Sequence, residues 1–203
     1  MIEVAIATRN DKKLLELKRY MKGVKAHVIS LKSLAHAPGI REDKNTFKGN
    51  AIKKAVTISK YTKGVVLADD SGLSVDILNG QPGVKSARFA GRNKKDYDNN
   101  TKLLRMMEKV PSGKRRARFI CAIAIADKGR VVKIVEEYCK GRIALSARGR
   151  HGFGYDPLFL ITKYKKTFGE LGLKVKDKMS HRSKALKKAR KFLKSYLKNS
   201  FMI

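Results

Sequence analysis

Short apolar runs alternate with amphipathic stretches from the first residues onward, a pattern that predicts strands interleaved with helices. Residues 2–7 read as a buried strand, and Asp11 to Lys22 as a helix with Leu14, Leu17 and Met21 on one face before Gly23. An apolar stretch at 24–31 and a loop with Pro38 and Gly39 lead to Thr46, a candidate N-cap for a helix running to about Tyr61. Val65 to Ala68 read as a compact strand that ends in Asp69-Asp70-Ser71-Gly72, followed by another strand and a Gly/Pro turn at 79–83. A third helix is expected over 96–109. The runs at 117–126 and 131–139 flank Asp127-Lys128-Gly129-Arg130 and predict a long antiparallel hairpin, which makes the sheet mixed. A strand at 158–161 and a last helix at about 181–198, with Leu186, Ala189, Leu193 and Leu197 on one stripe, complete the pattern. The fold class expected is α/β, and the chain is expected to form a single domain over 1–203 with two lobes.

Composition narrows the picture. No segment approaches the ~20 apolar residues of a membrane span, and the first ten residues lack the pattern of a signal peptide. Cys121 and Cys139 lie inside strand-like runs and read as buried, reduced thiols, so a cytoplasmic location is expected. The formal net charge is +31, from 48 Lys and Arg against 17 Asp and Glu, which attracts any polyanion, nucleotide or nucleic acid alike.

Four places carry candidate chemistry for binding a triphosphate. Thr8-Arg9-Asn10 with Lys13 sits where a strand hands over to a helix, so free N–H groups, a hydroxyl and an ammonium could face one phosphate; a simple Asn10 cap explains the same residues. Glu42 lies in a loop before Asn50 and Lys54, which share a helix face four residues apart, although Lys54 is also one lysine among many. Asp69 and Asp70 directly follow four apolar residues, where two carboxylates repel each other and lose hydration; a turn cap accounts for only one of them. Gly152-Phe153-Gly154-Tyr155-Asp156-Pro157, Lys176 and Ser180-His181-Arg182 offer rings to stack on a base and polar groups to read its edge, beside the plainer alternatives of a turn and of Ser180 as a helix cap.

In this order the segments resemble the inosine triphosphate pyrophosphatase family, also called Ham1-like or XTP/dITP diphosphatases. The resemblance rests on Thr8 to Lys13, Thr46-Phe47 with Asn50-Ala51 and Lys54-Ala55, Ala68 to Leu73, Pro82-Gly83 with Ser86 to Arg88, Gly152 to Pro157, and Ser180 to Arg182. It implies an elongated mixed sheet with flanking helices, two lobes around a nucleotide-binding cleft, and a homodimer. It further implies that Asp70 activates water and shares Mg²⁺ with Glu42, that Asp69 supports the same site, and that Thr8, Asn10, Lys13, Lys54 and Ser71 hold the phosphates. Phe153, Gly154, Tyr155, Asp156, Lys176, His181 and Arg182 would form the pocket that selects a 6-keto purine, and the products would be a nucleoside monophosphate and pyrophosphate.

Two departures stand out. Gly49 occupies the position where many relatives carry Glu, so the reciprocal half of a capping box with Thr46 is missing. Its loss predicts a helix start weakened by a few tenths to about 1 kcal/mol, which Gly49→Glu is expected to restore. The charge is the other, and weak nonspecific nucleic-acid binding is compatible with it. Two other functions compete. A basic nucleic-acid-binding protein would leave the Asp69-Asp70 pair and Glu42 facing phosphate with the wrong sign. A Maf-like nucleotide pyrophosphatase would carry Ser and paired Arg after the first strand, where this chain has Thr8-Arg9-Asn10.

Overall fold

The computed structural model describes residues 2–34, 36–91 and 95–199. Seven strands form one sheet: β1 (Glu3–Ile6), β2 (His27–Ser30), β3 (Val65–Val75), β4 (Arg116–Asp127), β5 (Arg130–Ile143), β6 (Phe159–Ile161) and β7 (Lys166–Thr167). Their order is β2-β1-β3-β4-β5-β6-β7. β1 runs parallel to both β2 and β3, whereas β6 is antiparallel to β5 and β7, so the expected mixed sheet is present. The helices are α1 (Asp11–Met21), α2 (Phe47–Ile58), α3 (Asp96–Met106), α4 (Phe168–Met179) and α5 (His181–Asn199). None of the described helices is long and apolar enough to cross a membrane.

The chain divides into two compact units, one of Met1–Asp70, Cys121–Glu137 and Lys184–Ile203, the other of Ser71–Ile120 and Tyr138–Ser183. In the first unit, Val4 and Ile6 of β1, Val65 and Leu67 of β3, and Ile123 and Ile125 of β4 pack with Leu17 and Met21 of α1. The predicted stripe of α5, Leu186, Ala189, Leu193 and Leu197, closes this core. Burying its three leucines contributes about 5–9 kcal/mol before entropy losses, which explains why so lysine-rich a helix docks at all. In the second unit Leu73, Val75, Leu103, Met107, Phe119, Phe159, Ile161 and Phe168 form a separate core. Cys121 and Cys139 are buried in β4 and β5 and form no disulfide.

Three local features add to the sequence pattern: β3 is longer than expected, the expected β4–β5 hairpin turns on two residues, and α4 is a helix the pattern did not predict. β3 does not stop at Ala68 but continues to Val75, so Asp69 and Asp70 lie inside the strand rather than at its end. Polar residues interrupt the apolar run without ending the strand, because strand geometry needs only that each carboxylate find partners. Lys128 and Gly129, with φ of 47° and 78°, make the two-residue turn of the β4–β5 hairpin, both in the left-handed conformation that such a turn requires. α4 is broken at Gly172, whose φ is 71°, before the turn that carries Lys176.

At the start of α2 the Thr46 hydroxyl accepts the Gly49 N–H at 3.0 Å, so half of the capping box exists. A Cβ added at Gly49 would lie 3.0 Å from both Lys44 Cβ and Thr46 Oγ1. Lys44 cannot yield easily, because its N–H donates to Asn50 Oδ1 (2.9 Å) and its carbonyl accepts from Asn50 Nδ2 (3.3 Å). The gain expected from Gly49→Glu is therefore offset by crowding that the sequence did not reveal.

Candidate active site

The first unit gathers an acidic and basic set around the middle of β3. α2 presents Asn50 and Lys54 on its buried face together with Ala51, Ala55 and Ile58. Lys54 Nζ lies 2.7 Å from Glu42 Oε1 and 3.5 Å from Asp70 Oδ1, and it donates to the Asp69 carbonyl at 2.5 Å. Asn50 Nδ2 donates to Asp70 Oδ2 at 3.1 Å, fixing the carboxylate from the other side. Burial is the largest influence on Asp70 and pushes its carboxyl above the ordinary range; Glu42 and Asp69 add to this, while Lys54 and Lys13 oppose it. For Lys54, burial disfavours the ammonium, but Asp70, Asp69 and Glu42 together outweigh it and hold the amine protonated.

The handover from β1 to α1 supplies the rest of this set. Asn10 caps α1 by accepting the Lys13 N–H at 3.1 Å, and its own N–H donates to Thr8 Oγ1 at 3.2 Å. Lys13 Nζ pairs with Asp69 Oδ2 at 3.2 Å. Arg9 is exposed. The plain cap and the cationic role of this segment thus coexist.

Glu42 and Asp70 converge on one cation, the Lys54 ammonium, and their donors are hard carboxylate oxygens of the kind that magnesium takes. Among the described residues no group of three His, Cys, Asp or Glu could hold a metal. Two carboxylates still fit a divalent ion that completes its shell with phosphate oxygens and water, the usual arrangement for nucleotide-bound magnesium.

The second unit assembles the residues expected to read a base. Lys176 Nζ lies 2.5 Å from Asp156 Oδ2 and 4.5 Å from the Phe153 ring centroid, and Arg182 stands 5.4 Å from the same ring. Asp156 Oδ2 also accepts the Phe153 N–H at 2.8 Å. Arg182 Nη2 donates to Ser71 Oγ at 2.6 Å, which joins the strand segment after Asp70 to this cluster. His181 stacks on Phe119 with centroids 4.8 Å apart and planes 16° from parallel. Ser180 does cap α5, accepting the Ser183 N–H at 3.2 Å.

Tyr155 is placed differently from the other aromatic residue of its loop. Its ring belongs to the second core at 4% exposure, and its hydroxyl donates to the Ser86 carbonyl at 2.9 Å. Burial, with the charge of Asp96, raises its pKa and keeps the phenol neutral. Tyr155 thus anchors the loop, leaving Phe153 as the ring of this segment that is not sunk in the core. Sequence reasoning missed Asn99 and Asn100 of α3, and Ser86 stood in a motif without a role. Adjacent buried amides inside a helix are the signal that could have found the first two, since such groups must be hydrogen-bonded.

A sequence profile of the Ham1 family matches residues 4–192. A dITP/XTP pyrophosphatase of Desulforamulus reducens is 47% identical over 192 residues, covering 95% of this chain and 96% of that protein. Among solved structures, a HAM1 protein of Coxiella burnetii superposes with a TM-score of 0.89 at 35% identity, over 96% of this chain and 100% of that one. The Ham1 protein of Staphylococcus aureus gives 0.87 at 37% identity, over 96% and 99% of the two chains. Strand order, the set around β3 and these likenesses over nearly the whole length lead to one conclusion: the chain belongs to the Ham1 family.

Proposed function

We propose that this protein is a nucleoside triphosphate pyrophosphatase that hydrolyses deaminated purine nucleotides, ITP, dITP and XTP, to the monophosphate and pyrophosphate, and so cleanses the nucleotide pool. The observation that carries this is the convergence of Glu42, Asp70 and the Asp69 carbonyl on Lys54, with Asn50 holding the far oxygen of Asp70. Asp70 is the base: it takes a proton from water as the water oxygen bonds to phosphorus, and the anhydride between the α and β phosphates breaks to release pyrophosphate. Its raised pKa makes it a stronger base than an exposed carboxylate. Lys54 and Lys13 carry positive charge toward the phosphates, and Asp69 orients both through its carbonyl and carboxylate. Thr8, Asn10 and Ser71 add donors to the phosphates. The metal is Mg²⁺, held by Glu42 and Asp70, and when bound it neutralises charge on the leaving pyrophosphate.

Phe153 stacks on the base, while Lys176, His181 and Arg182 provide donors for the 6-keto oxygen, with Asp156 fixing Lys176. A 6-amino group meets donor against donor there and is rejected. The test is pyrophosphate release from dITP and XTP beside dGTP and ATP, with and without Mg²⁺, for the wild type and Asp70→Asn. Metal-dependent pyrophosphate from dITP and XTP, little from dGTP or ATP, and a large loss in the variant are expected. Release of phosphate alone, or equal turnover of ATP, would refute the assignment.

A cytoplasmic homodimer is part of the same proposal, and light scattering should give twice the chain mass of 22.8 kDa. One further observation favours weak polyanion binding beside catalysis. The exposed stripe of α5 carries Lys184, Lys187, Lys188, Lys191, Lys194 and Lys198 with no acidic residue in the helix. Binding to a DNA duplex that weakens steeply with salt would support it, and affinity independent of salt would exclude it.

A further inference from the structure

The loop from Gly152 to Asp156 is fastened from a helix that lies outside every motif carrying the family resemblance. Two acids stand in the first turn of α3, and they do different work. Asp98 accepts the Lys95 N–H at 2.8 Å and so satisfies the helix start locally. Asp96 reaches instead to a residue 58 positions later, accepting the Gly154 N–H on Oδ2 at 2.7 Å. One turn further along the same face, Asn100 Nδ2 donates to the Gly154 carbonyl at 3.0 Å. Both hydrogen-bonding groups of one glycine are therefore held by residues i and i+4 of one helix. The orientation of the Asn100 amide follows from the chemistry, because its oxygen turned toward the Gly154 carbonyl would set acceptor against acceptor.

Asn99, beside it, accepts the Ala90 N–H at 2.7 Å and donates to the Ala87 carbonyl at 3.3 Å, so α3 itself is tied down. Gly154 has a φ of 63° and no side chain, and it directly follows Phe153. Without a fastening, its peptide would be free to take many conformations, as glycine allows. We infer that Asp96 and Asn100 are positioning residues for the base: by fixing the Gly154 peptide they set the plane of the Phe153 ring, which Lys176 and Arg182 approach at 4.5 and 5.4 Å.

This inference rests on Phe153 being the stacking platform. Stacking is indifferent to the groups on the edge of the purine. Loosening the platform thus weakens all accepted bases together and leaves the chemistry at Asp70 alone.

The experiment is steady-state kinetics with dITP and with XTP on Asn100→Ala, Asp96→Ala, Asp96→Asn and Phe153→Ala. Loss of the neutral Asn100 hydrogen bond corresponds to a rise in KM of about three- to tenfold, and loss of the bond to the Asp96 carboxylate to about tenfold or more. Asn100→Ala and Asp96→Ala should show these rises, each to the same extent with both substrates and with kcat within about twofold. Asp96→Asn should remain near wild type, because an amide oxygen still accepts from Gly154. A variant that merely folds poorly has less active enzyme and a lower apparent kcat at unchanged KM, so the split separates the two causes. A raised KM in Phe153→Ala with both other alanine variants unchanged overturns the fastening alone. An unchanged KM in Phe153→Ala overturns the stacking platform, and the fastening with it.

Discussion

Gly72 follows the Asp69-Asp70-Ser71 segment inside β3, and its replacement by Ala tests why a strand should carry glycine there. A Cβ at this position would stand 2.3 Å from Ser86 Oγ, 2.8 Å from Ser86 Cβ and 2.8 Å from the Gly83 carbonyl. The backbone at Gly72 is not left-handed, so the cost comes from contact and not from conformation. Ser86 Oγ must move, yet it accepts the buried Leu73 N–H at 2.9 Å and donates to the Gly83 carbonyl at 2.6 Å. Losing those two hydrogen bonds costs about 1–3 kcal/mol, and overpacking adds about 1–3 kcal/mol. For a chain of this size the sum lowers Tm by roughly 5–15 °C. Urea denaturation of wild type, Gly72→Ala, Ser86→Ala and the double variant measures it directly. Ser86→Ala removes the closest clash and the same two bonds, so the double variant should lose less than the sum of the singles by about 1 kcal/mol or more. A Tm within 2 °C of wild type for Gly72→Ala, or strict additivity in the cycle, would refute the reasoning.

Other outcomes follow from the same geometry. In the metal-free protein burial holds the Asp70 carboxyl above the ordinary carboxylate range, so an NMR pH titration in EDTA should show it taking up its proton earlier on acidification than an exposed aspartate. A carboxyl raised in the fold contributes stability at low pH that is lost as pH rises through the folded pKa; in EDTA, Asp70→Asn should therefore gain Tm relative to wild type between pH 4 and pH 7. Lys54→Met leaves Glu42 and Asp70 without their shared ammonium, and pyrophosphate release should fall about 10²–10³-fold, read as initial rates at saturating Mg²⁺. Lys176→Met strands the Asp156 carboxylate at 1% exposure and should cost about 3–5 kcal/mol in urea denaturation.

Periodicity located four of the five described helices and most strands because each buries one continuous stripe or run, as with Leu186, Ala189, Leu193 and Leu197; it missed α4, whose pattern is broken at Gly172. It failed where tertiary partners override local pattern. β3 runs through two aspartates because Lys13, Lys54 and Asn50 supply their partners, and none of these is near them in sequence. The order of the motifs along the chain pointed to the residues that the candidate site gathers, but not to the contacts each makes. Phe153 and Tyr155 look equivalent in a Gly-rich loop, and only the packed core tells the ring that anchors from the ring that is not sunk in it. Asp96, Asn99 and Asn100 escaped notice because an isolated helix gives no hint of a hydrogen bond to a glycine far along the chain.

The paired aspartates show how structure changes the argument made from sequence. Adjacent carboxylates in the sequence repel each other, and only the resemblance, not their spacing, tells the two apart. In a strand, neighbouring side chains leave opposite faces, and here each face brings its own helix. Asp69 meets Lys13 of α1, whose Leu17 and Met21 lie in the first core; Asp70 meets Asn50 and Lys54 of α2, whose buried residues lie outside it. Repulsion between the two survives only as the last and smallest influence on Asp70. Their burdens differ accordingly. Asp69 has a fully buried side chain paired with the Lys13 ammonium at 3.2 Å, which fixes it. Asp70 keeps one oxygen 3.5 Å from Lys54 and has its affinity for protons raised by burial. A general base needs a raised affinity for protons, and the proposal that Asp70 is the base draws on that affinity. Asp69 is then the residue that holds Lys13 and, through its carbonyl, Lys54, so Asp69→Asn should weaken phosphate binding where Asp70→Asn abolishes turnover.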